Sequence, residues 1–152
     1  MRRLAASVVL GLMLCVALPV AAHAAPTRAQ WAAGASAVCM RELSTMHALE
    51  RKASANVPLS LRQWVAMYDQ LVGSFGRMRQ DIAALPRPTA DRGSISSLVS
   101  YLGRAIGEMK AVRKATLARD ARALRVHVEQ SEQLVRRAET VAVRLGARSC
   151  AG

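Results

Sequence analysis

Met46 and His47 in the first predicted helix and His127 in the last have side chains of types that can bind copper or a haem iron. Met46 and His47 lie about two turns before the end of the first helix, and His127 lies about two turns after the start of the fourth. In an antiparallel helical bundle, these positions are at one level along the bundle. A Met/His haem or copper site is therefore one hypothesis. The sequence favours the alternative, that both histidines are solvated or hydrogen-bonded bystanders, and we predict no cofactor.

The motifs of common helical metalloproteins and hydrolases are absent from the sequence. It contains no Cys-x-x-Cys-His for covalent haem, no Glu-x-x-His for a di-iron centre, no His-Glu-x-x-His for zinc, no Gly-x-Ser-x-Gly and no glycine-rich phosphate loop. Glu129, Glu132 and Glu139 share one predicted helix, but arginines one turn away are typical of an exposed salt-bridged face. We therefore predict that the protein is not an enzyme.

A cluster of cations surrounds the junction of the third and fourth predicted helices. This basic patch consists of Lys110, Arg113, Lys114, Arg119, Arg122 and Arg125. The dipole of the third helix favours cations at its end, but Arg122 lies in the first turn of the next helix, where acids are preferred. A solvated basic face is the simplest interpretation. An anionic envelope surface is the partner that the patch fits best, and another envelope protein is a further alternative.

Nucleic acid is not expected as a partner of the basic patch. Single-stranded nucleic acid binding needs aromatic side chains between the cations, on which bases can stack. Trp64, Tyr68 and Phe75 instead fall on the predicted core stripe of the second helix. The predicted export of the protein argues in the same direction.

The first 24 residues have the three parts of an export signal. Arg2 and Arg3 precede an apolar run over residues 4–20, and Ala22-His23-Ala24 is a small-x-small cleavage site. We predict cleavage after Ala24 and a secreted or extracytoplasmic product. Retention by an uncleaved N-terminal anchor is the alternative.

Residues 25–152 have the length of one domain with one core, since removing 24 of the 152 residues leaves 128. Two of the 22 basic residues lie in the signal, so this product carries 20 Lys and Arg against 10 Asp and Glu, a net charge of +10. Such a charge favours anionic partners in general.

Export changes the meaning of the cysteines. Only Cys39 and Cys150 follow the predicted cleavage site. An oxidising compartment lets them form a structural disulfide instead of remaining thiols. Closing a loop of about 110 residues would stabilise the fold by about 4–5 kcal/mol in the chain-entropy model.

Apolar residues that recur at spacings of three and four predict four helices, and no strand pattern competes with them. Capping boxes predict that the first helix begins after Thr27, with Gln30, and the second after Ser60, with Gln63. Asp120 is the predicted cap of the fourth helix.

The third helix is predicted to begin at Thr89 or Asp91. Breaks are expected over residues 54–58 and 86–88, where prolines interrupt the pattern. Gly146 is expected to end the fourth helix in a left-handed conformation.

Four helices of about 25 residues with short links predict an all-α fold, an antiparallel up-down-up-down four-helix bundle preceded by a cleavable signal helix. In this topology the start of the first helix and the end of the fourth share one end of the bundle, so the two cysteines are neighbours. Because Cys39 lies more than two turns inside its helix, residues 146–149 must fold back along that helix.

Three features of the sequence form one pattern: Trp31 ahead of Cys39 in the first helix, Leu-Pro-x-Pro at residues 85–88, and Arg-Leu-Gly-x-x-x-Cys at residues 144–150. With them the chain resembles small exported helical proteins of an actinobacterial type that carry a single disulfide. The resemblance spans residues 25–152 and implies a disulfide-tied bundle without implying any activity. Such proteins often have Gly-Asp at the last interhelical turn, where this chain has Arg119-Asp120.

The sequence therefore predicts an exported, non-enzymatic helical bundle that serves as an interaction or structural component of the bacterial cell envelope. It names no ligand. The two alternatives are a haem or copper carrier and an electrostatic binder of anionic envelope surfaces.

Overall fold

A computed structural model describes residues 25–55 and 57–151, and the predicted signal segment lies outside them. The described residues form an all-α fold without strands. Its four helices are α1 (Arg28–Ala55), α2 (Leu61–Ala84), α3 (Arg92–Leu117) and α4 (Ala121–Arg144). Short 3-10 helices at Thr89–Asp91 and Arg148–Cys150 precede α3 and follow α4. In the described part of the chain, no helix combines the length and the apolar character needed to span a bilayer.

Hydrogen bonds at the helix starts confirm three predicted caps. Thr27 Oγ1 accepts the Gln30 amide at 3.2 Å, and Gln30 Oε1 accepts the Thr27 amide at 2.8 Å. Ser60 and Gln63 make the same reciprocal pair at 3.3 and 2.9 Å. Asp120 Oδ1 accepts two amides of the first turn of α4, at 3.1 and 2.9 Å. These side chains satisfy backbone donors that a helix start leaves without partners.

α3 begins directly after Asp91, one of its two predicted starts, and Thr89, the other, lies in the preceding 3-10 helix. Asp91 occupies the cap position without a side-chain cap hydrogen bond. Its carboxylate instead accepts from Nε and Nη2 of Arg28, at 2.9 and 2.5 Å. A guanidinium that donates two charge-assisted bonds is a stronger partner than a backbone amide.

The ends of α3 and α4 have the same geometry, with a left-handed residue after the helix. Gly146 has φ 92°, which confirms its predicted role, and Arg119 has φ 55°. In both cases the amide of this residue bonds to the carbonyl three residues back, and the next amide bonds to the carbonyl five residues back. This is the Schellman motif. Arg119 therefore has a left-handed backbone conformation, which is unfavourable for residues other than glycine.

The core consists of apolar side chains from all four helices, most of them on the predicted stripes. Its larger buried members are Trp31, Val38, Cys39, Met46, Met78, Ile82, Ile95, Leu98, Leu102 and Leu145. Close backbone approaches join each helix to the next, and α1 to the 3-10 helix after α4. Val128, in the first half of α4, is 37% exposed.

The predicted disulfide between Cys39 and Cys150 is present, with Cα atoms 5.1 Å apart across a sequence separation of 111. The tail folds back along α1, as predicted. Ala147 is buried, and a Cβ atom on Gly146 would lie 3.3 Å from the Cβ atom of Ala32 in α1. The disulfide therefore fixes the tail against the first helix.

Candidate anion-binding surface

The three residues considered for haem or copper have separate surroundings. Met46 is buried in the core. His47 is exposed, and its Nδ1 lies 3.2 Å from Oε2 of Glu50 in the same helix. His127 is half-buried, and its Nδ1 lies 2.7 Å from Oε2 of Glu108, so that this pair joins α4 to α3.

Each histidine thus has a carboxylate partner. Met46 and His47 also point in different directions, since successive helical residues are about 100° apart. Among the residues that the structure describes, no group of three or more His, Cys, Asp or Glu side chains could hold a metal ion. These contacts give the haem or copper hypothesis no support.

A buried ionic network joins α1 to α2. Glu42 is only 3% exposed. Its Oε1 accepts from Nε of Arg41 and its Oε2 from Nε of Arg77, both at 3.2 Å. Arg77 Nη2 donates to buried Ser74 at 2.8 Å, and Arg41 Nη2 donates to Asp81. Each of these charged groups has a partner, so the network stabilises the helix pair and is not a binding site.

The burial of Glu42 was not predicted from the sequence, although the spacing of this residue in the first helix indicated it. Residue 42 continues the helical spacing of Cys39 and Met46, three residues after one and four before the other. A charged residue at such a position is buried if a partner arrives from another helix. Here that partner, Arg77, is 35 residues away in the sequence.

Two further ion pairs connect α3 and its start to the first two helices. The hydrogen bond from Arg28 holds the pKa of Asp91 below its ordinary value and raises the pKa of Arg28. Arg113 Nε lies 2.6 Å from Oδ1 of Asp69 in α2, within ion-pair distance, although its N–H is not aligned for a hydrogen bond. Arg113 therefore contributes to the helix packing.

The other members of the basic patch remain at the surface near the turn between α3 and α4. They are Lys110, Lys114, Arg119, Arg122 and Arg125. All are exposed, and none has a side-chain hydrogen bond or ion pair with a described residue. The predicted patch is thus present as a cationic surface of five residues, with Arg113 turned towards α2.

Charge is divided unevenly between the two helix pairs. Residues 92–151, which contain α3 and α4, have 12 Lys and Arg against five Asp and Glu, whereas residues 25–91 have eight against five. In the first segment, only Arg113 and Arg136 pair with carboxylates, and the other ten cations have no partner among the described residues. In the second, Arg28, Arg41 and Arg77 pair with carboxylates, and Arg79 and Arg87 donate to uncharged oxygens. Arg51 and Arg62 have no partner among the described residues. Unpaired positive charge is therefore concentrated on the α3–α4 side.

The aromatic pair of α2 lies outside this cationic surface. Trp64 and Tyr68 are half-buried and stack on each other, with ring centroids 4.7 Å apart. Burial raises the pKa of Tyr68 to about 12. Because the two rings are engaged with each other on α2, they do not alternate with the unpaired cations of α3 and α4.

An apolar cavity of about 50 Å³ lies beside the disulfide, between Phe75, Leu98 and Ala138. A cavity of this size has room for little more than one or two small molecules of the size of water. Its lining offers few polar partners, and we interpret it as a packing gap.

Comparisons with known proteins identify no relative of this chain. No protein family, curated protein or solved structure matches it. Function must therefore be inferred from the residues and contacts described above.

Proposed function

We propose that this protein is an exported, non-enzymatic helical bundle that attaches to anionic surfaces of the cell envelope through its α3–α4 side. The observation that carries the proposal is the uneven pairing of charge. Ten of the twelve cations of residues 92–151 have no partner among the described residues, whereas Arg28, Arg41 and Arg77 of the first two helices pair with carboxylates. Exposed unpaired cations attract an anionic surface over about a Debye length, roughly 8–10 Å at physiological salt.

The proposal includes an antiparallel up-down-up-down arrangement of the four helices. It is supported by contacts in which the residue number falls in one helix as it rises in the next. Such contacts are Gly34–Leu85 and Glu42–Arg77 between α1 and α2, and Arg79–Val99 and Asp69–Arg113 between α2 and α3. The short turn after α3 leads α4 back along it. In this arrangement α3 and α4 present their unpaired cations on one side of the bundle.

Export is also part of the proposal. The signal-like character of residues 1–24 supports it, and so does the Cys39–Cys150 disulfide, because structural disulfides persist in oxidising compartments and are rare in the cytoplasm. We expect cleavage near Ala24. The intact mass of protein from an exporting host would distinguish this product from one held by an uncleaved N-terminal anchor.

Retention on anionic material tests the attachment. Protein purified from an exporting host is sedimented with phosphatidylglycerol vesicles, with neutral phosphatidylcholine vesicles and with polyphosphate-coated beads, in increasing salt. We expect retention on at least one anionic material, and this retention should fall as salt screens the charges. Absence of retention on both, or retention that salt does not change, would overturn the proposal.

Matched variants test which side of the bundle attaches. Arg122→Gln/Arg125→Gln removes two unpaired cations from the α3–α4 side, and Arg51→Gln/Arg62→Gln removes two from the other side. Each cation near an anionic membrane surface contributes about 1 kcal/mol, so on phosphatidylglycerol vesicles the first variant should bind about tenfold or more weakly, and the second should bind nearly as the parent does. Equal losses would show that net charge, and not this side, governs attachment.

A further inference from the structure

Two polar clefts lie between α3 and α4 on the surface of the bundle. One is lined by Arg104, Gln133 and Arg137, and the other by Ser97, Tyr101 and Arg144. Spacings of three, four and seven place each helix's set on one face. We call the two clefts together the groove, and these lining residues of α4 span the rise of eleven helical residues, about 16 Å.

Its arginines lack the carboxylate partners that other interhelical arginines have. Arg104, Arg137 and Arg144 are exposed and make no side-chain hydrogen bond or ion pair with a described residue. By contrast, Arg77 and Arg113 reach across their interfaces to carboxylates, at 3.2 and 2.6 Å. The packing of α3 on α4 thus leaves these three guanidinium groups without a carboxylate partner.

Two carboxylates line the groove, and each contacts a partner other than the groove arginines. Glu108 lines the same cleft as Arg104, and its Oε2 lies 2.7 Å from Nδ1 of His127. Asp91, at the opposite end, accepts both of its hydrogen bonds from Arg28. The remaining lining consists of arginines, side chains that can donate hydrogen bonds, and the apolar side chains Leu134, Val141 and Leu145.

We propose that this groove binds a linear polyanion with phosphate groups along its chain. The inference rests on the proposed function and names the partner on the same α3–α4 side. Arg104 and Arg137 line one cleft of about 390 Å³ from opposite helices, so that both guanidinium groups can approach one phosphate. Planar guanidinium groups fit phosphate oxygens in pairs of parallel hydrogen bonds.

The length of the groove favours a chain over an isolated anion. Arg137 and Arg144 are two helical turns apart, about 10 Å along α4, so they would contact different phosphates of one chain. Gln133, Ser97 and Tyr101 carry amide or hydroxyl donors that can bind the remaining oxygens of the polymer. A flat lipid surface, in contrast, would contact the protruding cations near the turn, such as Arg122.

Binding of long-chain inorganic polyphosphate to the oxidised full-length product tests the inference. Arg104→Gln/Arg137→Gln is compared with Arg122→Gln/Arg125→Gln, which has the same net charge. We expect the groove variant to bind at least tenfold more weakly than the parent, and the turn variant less than threefold. The slope of log Kd against log salt should also fall by about one to two in the groove variant, since fewer phosphates are neutralised.

The other outcomes are decisive. Equal losses in the two variants would remove the groove as the site and leave the proposed function in place. Retention on phosphatidylglycerol vesicles without binding to polyphosphate would have the same meaning, because the partner would then be a lipid surface. Inorganic phosphate that competes at the same phosphate concentration as the polymer would show an isolated anion site and overturn the linear partner. Binding to neither material would overturn both proposals.

Discussion

Arg28 of α1 donates two hydrogen bonds to the carboxylate of Asp91, which stands immediately before α3 and 63 residues later in the chain. The carboxylate is 7% exposed, whereas the guanidinium is 59% exposed. The pair fixes the starts of two helices to each other. It also makes the stability of the fold depend on the ionisation of one buried acid.

Stability is expected to decline in acid through this pair. Because the hydrogen bond from Arg28 holds the pKa of Asp91 below 3.8, the native state binds this proton less readily than the unfolded chain. The stabilisation is fully present above the unfolded pKa and is lost as pH falls through the native pKa. Urea midpoints of the parent and Asp91→Asn, measured from neutral pH downwards, should therefore converge below about pH 4. A difference that stayed constant with pH would contradict this.

Removal of Arg77 should destabilise the fold by about 2–3 kcal/mol. Arg77→Ala leaves the buried Glu42 carboxylate with Arg41 as its remaining partner, and an inadequately paired buried charge is costly. The expected loss lies at the low end for buried pairs because the Arg77 side chain is itself 56% exposed. Urea unfolding provides the measurement.

Arg136→Ala is the matched control for this prediction. It removes the arginine of an exposed ion pair, in which Arg136 Nη1 lies 3.5 Å from Oε2 of Glu132, one helical turn away. Such pairs contribute about 0.3–0.5 kcal/mol. If both variants lost the same small amount, the buried network would not have the stabilising role assigned to it.

Substitutions of the two left-handed residues that follow α3 and α4 should have opposite effects on the stability of the protein. Arg119→Gly is expected to stabilise the protein by about 0.5–1 kcal/mol, because it relieves a left-handed conformation that costs about 1–2 kcal/mol and loses part of that gain to the freer unfolded chain. Gly146→Ala should cost about 1 kcal/mol or more, since φ is 92° and Ala32 lies close. Thermal unfolding measures both. A destabilised Arg119→Gly variant would show that the Arg119 side chain contributes more than its backbone costs.

The features predicted correctly from the sequence are local ones. The caps at Thr27, Ser60 and Asp120 and the stop at Gly146 each depend on residues within one or two turns. The apolar spacing of each helix likewise identified most of the core. The disulfide was predictable because Cys39 and Cys150 are the two cysteines after the predicted signal.

Features that depend on distant partners could not be predicted in the same way. The ion pair of Asp91 is one such feature, because its partner, Arg28, is 63 residues away in the sequence. The contiguous basic patch attracted attention, whereas the cleft between Arg104 and Arg137 exists only because α3 packs on α4. Local density of charge is visible in a sequence, but the pairing of charges depends on the packed structure.

Loss of the disulfide should lower the free energy of unfolding by about 4–5 kcal/mol in the chain-entropy model. The prediction concerns Cys39→Ala/Cys150→Ala, since alanine avoids placing a hydroxyl group in the buried position of Cys39. Urea unfolding of the variant is compared with that of the oxidised and reduced parent. The reduced parent should resemble the variant, and an unchanged midpoint in both would show that the link adds no stability.

The position of this link has a consequence for resistance to peptidases. Residues 118–120 form an exposed connection between α3 and α4, and they lie inside the segment that the link between Cys39 and Cys150 closes. A peptidase that cut this connection once would produce two polypeptides still held in one covalent particle. The nicked molecule would keep its cationic helices together and would separate only on reduction.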